Sequence, residues 1–182
     1  MTPEADPAPE GPREHTASGG DVATRGDRAS GGGLGAAGLP APEPFTVHAE
    51  HPTLRLDEAK VRALAERVAR GEGVRWREVG VILGDHALVR GLNREWLGHD
   101  WDTDVVSFPL DEDAAARGEI DGEVYVDLDT ALEAAPEHGA TFETEALRYV
   151  AHGLLHLAGH DDATTLERAA MRILEDRYLG EV

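Results

Sequence analysis

His152 and His156 stand four residues apart in the run His152-Gly153-Leu154-Leu155-His156-Leu157-Ala158-Gly159-His160-Asp161-Asp162. Positions i and i+4 of a helix share one face a turn apart, so the two imidazoles can offer ring nitrogens to one ion. Gly159 can take the left-handed conformation that stops a helix, and the returning chain then offers His160 or Asp162 as a third ligand. Three protein ligands with an open fourth position is the arrangement of a catalytic zinc. The ordinary alternative is a helix with two surface or core-edge histidines and an acidic turn. Nine histidines in 182 residues give roughly 0.4 such pairs by chance, so the glycine and the returning side chains carry the metal reading more than the pair does.

A zincin peptidase also uses two histidines at i, i+4, but its general base is a glutamate directly after the first histidine. Here that position is Gly153. A peptidase of that kind would lack the group that deprotonates the attacking water.

The elements that must position these residues follow from periodicity and turn chemistry. Phe45 to Glu50 alternates like a short strand, and Asp57 can cap a helix whose apolar face includes Val61, Leu64 and Val68. Val79 to Leu83 reads as a strand, and Asp85 to about Trp96 as a second helix with Leu88, Leu92 and Trp96 at helical spacing. Two further strands are expected over Thr103–Phe108, ended by Pro109, and over Glu123–Leu128. Helices from about Asp129 to His138, Thr141 to Ala158 and Thr164 to Leu179 complete the chain, the last opened by a capping-box pair, Thr164 and Glu167. The expected fold is α/β (α+β): one compact domain with a central mixed sheet of about four strands flanked by helices.

That domain spans residues 45–182. The first 44 residues hold nine glycines and seven prolines, with no Phe, Trp or Tyr and no apolar period, and are expected to form a disordered extension. They show no basic start leading into an apolar core, so they do not read as a secretory signal, and no apolar run is long enough to span a membrane. The absence of cysteine removes disulfides and thiolate ligands together and fits a cytoplasmic protein. Net charge is −19; three arginines against seven acidic residues give the first 44 residues −4, which leaves −15 on the domain. Its average field should repel nucleic acid, so any RNA contact must come from local arginines and the metal. Lys60 is the only lysine, a bias compatible with a halophilic or high-GC source, with a partner-binding acidic face, or with a merely solvated surface.

Several segments in order resemble the YbeY family of metal-dependent rRNA maturation endoribonucleases. They are Leu92-Asn93, the run Thr103-Asp104-Val105-Val106-Ser107-Phe108-Pro109, the strand Gly122-Glu123-Val124-Tyr125-Val126, the His152 to Asp162 motif, and Met171 with Glu175. The resemblance covers nearly all of residues 45–182. It implies a single-strand-specific endoribonuclease in rRNA maturation (small-subunit rRNA 3′ end processing) and ribosome quality control, with one Zn2+ per chain. It also implies single-stranded rRNA and ribosome or small-subunit components as partners, no membrane, and a cytoplasmic location.

The family's motif reads His-Gly-x-Leu-His-Leu-x-Gly-Tyr-Asp-His, so its third histidine ligand falls on Asp162 and its tyrosine on His160. The resemblance therefore favours His152, His156 and Asp162 as the metal ligands, a carboxylate being a normal third zinc ligand. Many members carry an arginine important for activity where this chain has Leu97, followed by Gly98-His99-Asp100. Arg148 is the expected substitute, because Arg148, His152 and His156 form an i, i+4, i+8 stripe where a guanidinium could hold a phosphate oxygen beside the metal. Its ordinary alternative is a surface pair with Glu145. His99 is a second catalytic candidate, its alternative being a solvated turn. Asp104 and Ser107 are expected to hydrogen-bond the metal-site turn. Two rival functions remain open: a non-catalytic ribosome-assembly factor whose structural metal is closed by both His160 and Asp162, and another zinc metallohydrolase such as a peptidase.

Overall fold

The computed structural model describes residues 43–111 and 117–180. The expected extension, residues 1–44, lies outside the described residues except for its last two. Those two are tied to the domain: Glu43 pairs with Arg62 at 3.3 Å, and the Pro44 carbonyl accepts from Val79 N at 3.1 Å.

Among the described residues four strands form one sheet in the order β1-β2-β4-β3: β1 (Phe45–Ala49), β2 (Arg75–Gly84), β3 (Val105–Pro109) and β4 (Glu119–Asp127). The β1/β2 and β2/β4 pairs are parallel, and β3 returns antiparallel along β4, with Ser107 opposite Val124. This is the expected mixed sheet. β2 begins earlier than its apolar run because Arg75 and Arg77 pair across the sheet with Glu119 and Asp121, bonds that an exposed, charged strand start can make.

Among the described residues five α-helices join it: α1 (Glu58–Glu72), α2 (His86–Leu92), α3 (Leu128–Ala134), α4 (Phe142–Leu157) and α5 (Thr165–Leu179). Each begins at a side-chain cap of the expected kind: Asp57, Asp85, Asp127, Thr141 and Thr164 accept from the first-turn amides. The Thr164/Glu167 capping box is formed in full. Buried Val61, Leu64 and Val68 anchor α1, and Met171, Glu175 and Tyr178 are the buried stripe of α5. Among the described residues no helix is long and apolar enough to cross a membrane.

The second helix departs from expectation. It ends at Leu92, and Asn93–Leu97 winds as one π-helical turn closed by Gly98 at φ 73°, whose N–H reaches Asn93 O. Asn93 drives this, because its side chain is buried and donates to Trp101 O at 2.9 Å. The amide thus binds the returning loop, and the widened turn rather than a continuing α-helix carries the chain toward β3.

Helix α4 is the centre of the molecule, packed on β3 and β4 and flanked by α1, α3 and α5. Gly153 permits the close approach: a Cβ there would lie 2.3 Å from Val124 Cγ1 and 3.0 Å from Val105 Cγ2. No side chain fits at 153 without displacing the Val124 side chain. The position that a zincin gives to its general base is therefore spent on helix-to-sheet packing.

Candidate metal centre

Ten residues of α4 are buried, while His152 and His156 lie on its partly open stripe. The helix stops as Gly159 allows: at φ 97° it lets His160 N reach Leu155 O at 3.0 Å and Gly159 N reach His156 O at 2.9 Å. These two bonds make a Schellman cap that sends the chain back past the histidine face. The turn brings one Asp162 oxygen to 3.9 Å from His152 Nε2 and the other to 3.7 Å from His156 Nε2, while the two Nε2 atoms lie 2.9 Å apart. Arg168 of α5 fixes that turn by donating to the carbonyls of Asp162 (3.1 Å) and Ala163 (2.8 Å). His160 points elsewhere: its Nε2 lies 2.8 Å from Glu72 Oε2 at the end of α1.

Each imidazole is oriented by its other nitrogen. His152 Nδ1 lies 2.9 Å from Glu175 Oε1, and His156 Nδ1 lies 2.9 Å from His160 O. A carbonyl oxygen can only accept, and an ionised carboxylate likewise, so both Nδ1 atoms donate. Both Nε2 lone pairs then face one another and Asp162. Two lone pairs aimed together at 2.9 Å repel unless a cation or a proton lies between them. A tetrahedral zinc with bonds of about 2.0–2.1 Å holds its donors about 3.3 Å apart; the two nitrogens come within about 0.4 Å of that spacing, and one ligand atom from each of the three residues lies within 4.8 Å of the others.

The surroundings split the two histidines. Burial lowers the basicity of His152, but the Glu175 hydrogen bond and the charges of Asp104, Glu175 and Asp162 outweigh it and hold the ring above its ordinary value. His156, buried and facing His152, is held below.

Two clefts meet at this centre. One, of about 440 Å³, is bordered by Asp104, Arg148, His152, Asp162, Arg172 and Glu175. The other, of about 370 Å³, runs along β3 and is bordered by Leu97, Asp104, Ser107, His152, His156 and Asp162. Arg148 faces the first cleft, and its partners are not Glu145: Nη1 donates to Glu175 Oε2 at 3.1 Å and to Asp176 Oδ1 at 2.6 Å. Glu145 is buried and pairs with His138 at 2.9 Å. His99 is exposed, stacks on Trp101, and borders neither cleft. Neither Ser107 nor Asp104 bonds the metal-site turn as expected: Ser107 donates to Gly153 O inside α4 at 3.2 Å, while Asp104 accepts from Thr103 Oγ1 and Val105 N.

Two roles escape a reading of the sequence. Glu175 binds His152 and Arg148 across the α4/α5 contact, Arg168 ties the turn before its own helix, and no local spacing announces which α5 residues face α4. The stripe Met171, Glu175, Tyr178 was the available signal: an acid in a helix's buried stripe needs a partner.

His86, Asp127 and Asp129 form a second group whose ligand atoms lie within 4.8 Å of one another. Their atoms are already in use. Asp127 caps α3 and binds His86 Nδ1 at 2.6 Å, and Asp129 binds His51 Nε2 at 3.1 Å. We read this group as the fastening of the α2 and α3 starts.

Residues 46–182 match the model of the family described as Endoribonuclease YbeY. An Endoribonuclease YbeY from Salinibacter ruber is 48% identical over 146 residues, which cover 78% of this chain and 93% of that protein. One from Chlorobium phaeovibrioides is 41% identical over 136 residues, covering 74% and 89%. A solution structure of TM1509 from Thermotoga maritima is 29% identical, covers 74% of this chain and 90% of its own, and superposes with a TM-score of 0.47.

Proposed function

The chain belongs to the Endoribonuclease YbeY family, and from that membership we propose that it is a zinc-dependent endoribonuclease acting on single-stranded rRNA. Its place would be small-subunit rRNA 3′ end processing and ribosome quality control, in the cytoplasm and in contact with small-subunit components. The activity resides in residues 45–182, with residues 1–44 a dispensable extension.

The observation that carries the proposal is the convergence of three donors, two imidazoles whose outer nitrogens are already committed and an aspartate on a turn held through its backbone carbonyl. His152, His156 and Asp162 hold one zinc ion, oriented by Glu175, by the His160 carbonyl and by Arg168 respectively. When bound, the ion supplies Lewis acidity toward a phosphoryl oxygen and acidifies the attacking hydroxyl or water. Arg148 reaches the same cleft with a guanidinium that Glu175 and Asp176 hold in place. Its charge stabilises the phosphate while its bond to Glu175 steadies His152. His99, stacked on Trp101 outside both clefts, is given no acid–base role.

Two observations weigh against the rival readings. His160 is engaged by Glu72, which leaves three ligands and an open position where a structural site would have four. Gly153 is pressed on Val124, which leaves no room for a zincin's glutamate. Elemental analysis of the purified protein, joined to cleavage of a single-stranded RNA, tests the proposal. One zinc per chain and chelator-sensitive cleavage are expected, and both should survive deletion of residues 1–42. A metal-free protein with no effect on RNA would overturn it.

A further inference from the structure

Two of the chain's three tryptophans stand in solvent, and both lie between the end of α2 and β3. Trp96 is 67% exposed and Trp101 58%, whereas Trp76 is buried with its Nε1 donating to Ala65 O. An indole left in water forgoes a large burial, so two of them in one short stretch mark a contact surface more strongly than scattered aliphatic residues do.

The stretch is held in shape. Asn93 Nδ2 binds Trp101 O, Arg90 Nε binds Asp100 Oδ1 at 3.0 Å, and Arg90 Nη2 binds Asp100 O at 3.2 Å. Trp101 lies flat on His99, with ring centroids 4.3 Å apart and planes 18° apart. Trp96 meets Phe108 of β3 edge-on at 6.2 Å. Rings fixed in this way present flat apolar faces without a further ordering cost when a ligand arrives.

Their position matters. Leu97, directly after Trp96, borders the cleft that holds His152, His156 and Asp162, and so does Asp104 three residues beyond Trp101. Charge argues for a ligand held by stacking. Of the four acids in the stretch, Asp100 and Asp102 are paired with Arg90, whereas Glu95 and Asp104, like Arg94, are in no ion pair among the described residues. Yet the domain carries −15, and an average field of that sign does not gather phosphates. Stacking on an aromatic face is indifferent to net charge and accepts any base.

We infer that Trp96 and the His99–Trp101 pair form a platform on which unpaired RNA bases stack as the strand enters the metal cleft. The inference rests on the endoribonuclease reading and gives it a physical source of strand selection. Bases in a duplex already stack on their neighbours, so only an unpaired base offers both faces. It also gives His99 a task suited to its place, as the under-layer of Trp101 and not as an acid or base.

Anisotropy titration of the metal-loaded full chain with a labelled 2′-O-methyl single strand, checked to be intact afterwards, tests the platform. Trp96→Ala and Trp101→Ala should each weaken binding on the order of 5- to 100-fold. Trp101→Phe, which keeps a π face, should retain most of the affinity. Leu132→Ala, an exposed apolar residue on α3, should change nothing. An abasic strand with the same phosphates should bind the wild type as weakly as the intact strand binds the double tryptophan variant. Melting temperatures establish that each variant is folded. Unchanged affinity in both alanine variants, while RNA is still bound and cleaved, would overturn the platform and leave the nuclease reading standing. The same affinities joined to loss of a dimer in sedimentation would make the face a contact between copies, and the platform would again fall. Failure of the wild type to bind or cleave any single strand would remove both.

Discussion

Glu175 Oε1 lies 2.9 Å from His152 Nδ1, and its other oxygen lies 3.1 Å from Arg148 Nη1. A chain therefore runs from guanidinium to carboxylate to imidazole to the point where the ligands converge. The buried Glu175 side chain thus joins Arg148 to His152, and by accepting from Nδ1 it fixes the tautomer that leaves Nε2 free.

Glu175→Gln keeps the size of the side chain and removes its charge. Zinc affinity should fall about 10- to 100-fold, the usual range for a carboxylate behind a metal-bound histidine. Competition with a chromophoric chelator measures it. Wild-type affinity in the variant would show that Glu175 serves packing alone.

Arg148→Ala should keep the metal and lose cleavage. Zinc content is expected to stay at one per chain, with single-turnover cleavage slowed roughly ten- to a thousand-fold, the range for losing a group that stabilises transition-state charge. Arg148→Lys restores charge without the planar fork and should recover only part of the rate. Normal cleavage in both variants would remove Arg148 from the site.

Gly153→Ala tests why the helix carries glycine beside its first ligand. The added methyl would press on Val124 and Val105, and overpacking of this kind costs about 1–3 kcal/mol. A melting temperature lowered by several degrees is expected, read by circular dichroism on the chelator-treated protein so that metal does not mask the change. An unchanged melting temperature would mean that α4 can withdraw from the sheet freely.

The helix starts, caps and strand cores were legible in the sequence because each rests on neighbours a few residues apart. Asp57, Thr141 and the Thr164/Glu167 pair announce helices through local hydrogen bonds, and Val61, Leu64 and Val68 announce a buried face. The meeting of His152 and His156 with the returning chain was legible too, since helix spacing and a Gly159 turn build it within eleven residues; spacing left His160 and Asp162 both open, and the family resemblance favoured Asp162. What the sequence hides is non-local. The π turn depends on a bond from Asn93 to Trp101, and the charged start of β2 depends on Glu119 and Asp121 of β4. The partner of Arg148 is 27 residues away, so helical spacing pointed to Glu145 instead. His138 holds Glu145 from the preceding loop, which no period predicts.

A pH test reaches the fastening of the α2 and α3 starts. Burial lowers the pKa of His86, but its bond to Asp127 and the charges of Asp127, Asp129 and Asp102 outweigh that and leave it raised. Glu133, 3.7 Å from its Nε2, and His51, bound to Asp129, complete the surroundings. A raised folded pKa means stabilisation that is full below the unfolded value near 6.5 and disappears as pH rises through the folded value. The stability gap between wild type and His86→Gln should therefore shrink from about pH 6 to pH 8.5 in urea denaturation. A constant gap would show that the ring's charge is not used.

The most direct test of the central claim is zinc titration of the chelator-stripped protein, read as the initial rate of cleavage of a single-stranded RNA. The rate should rise with added zinc, break at one equivalent per chain and stay flat beyond it. His160→Ala should give the same break, whereas His152→Ala, His156→Ala and Asp162→Ala should lose it. Full cleavage by the stripped protein, or a break that depends on His160 and not on Asp162, would contradict the account.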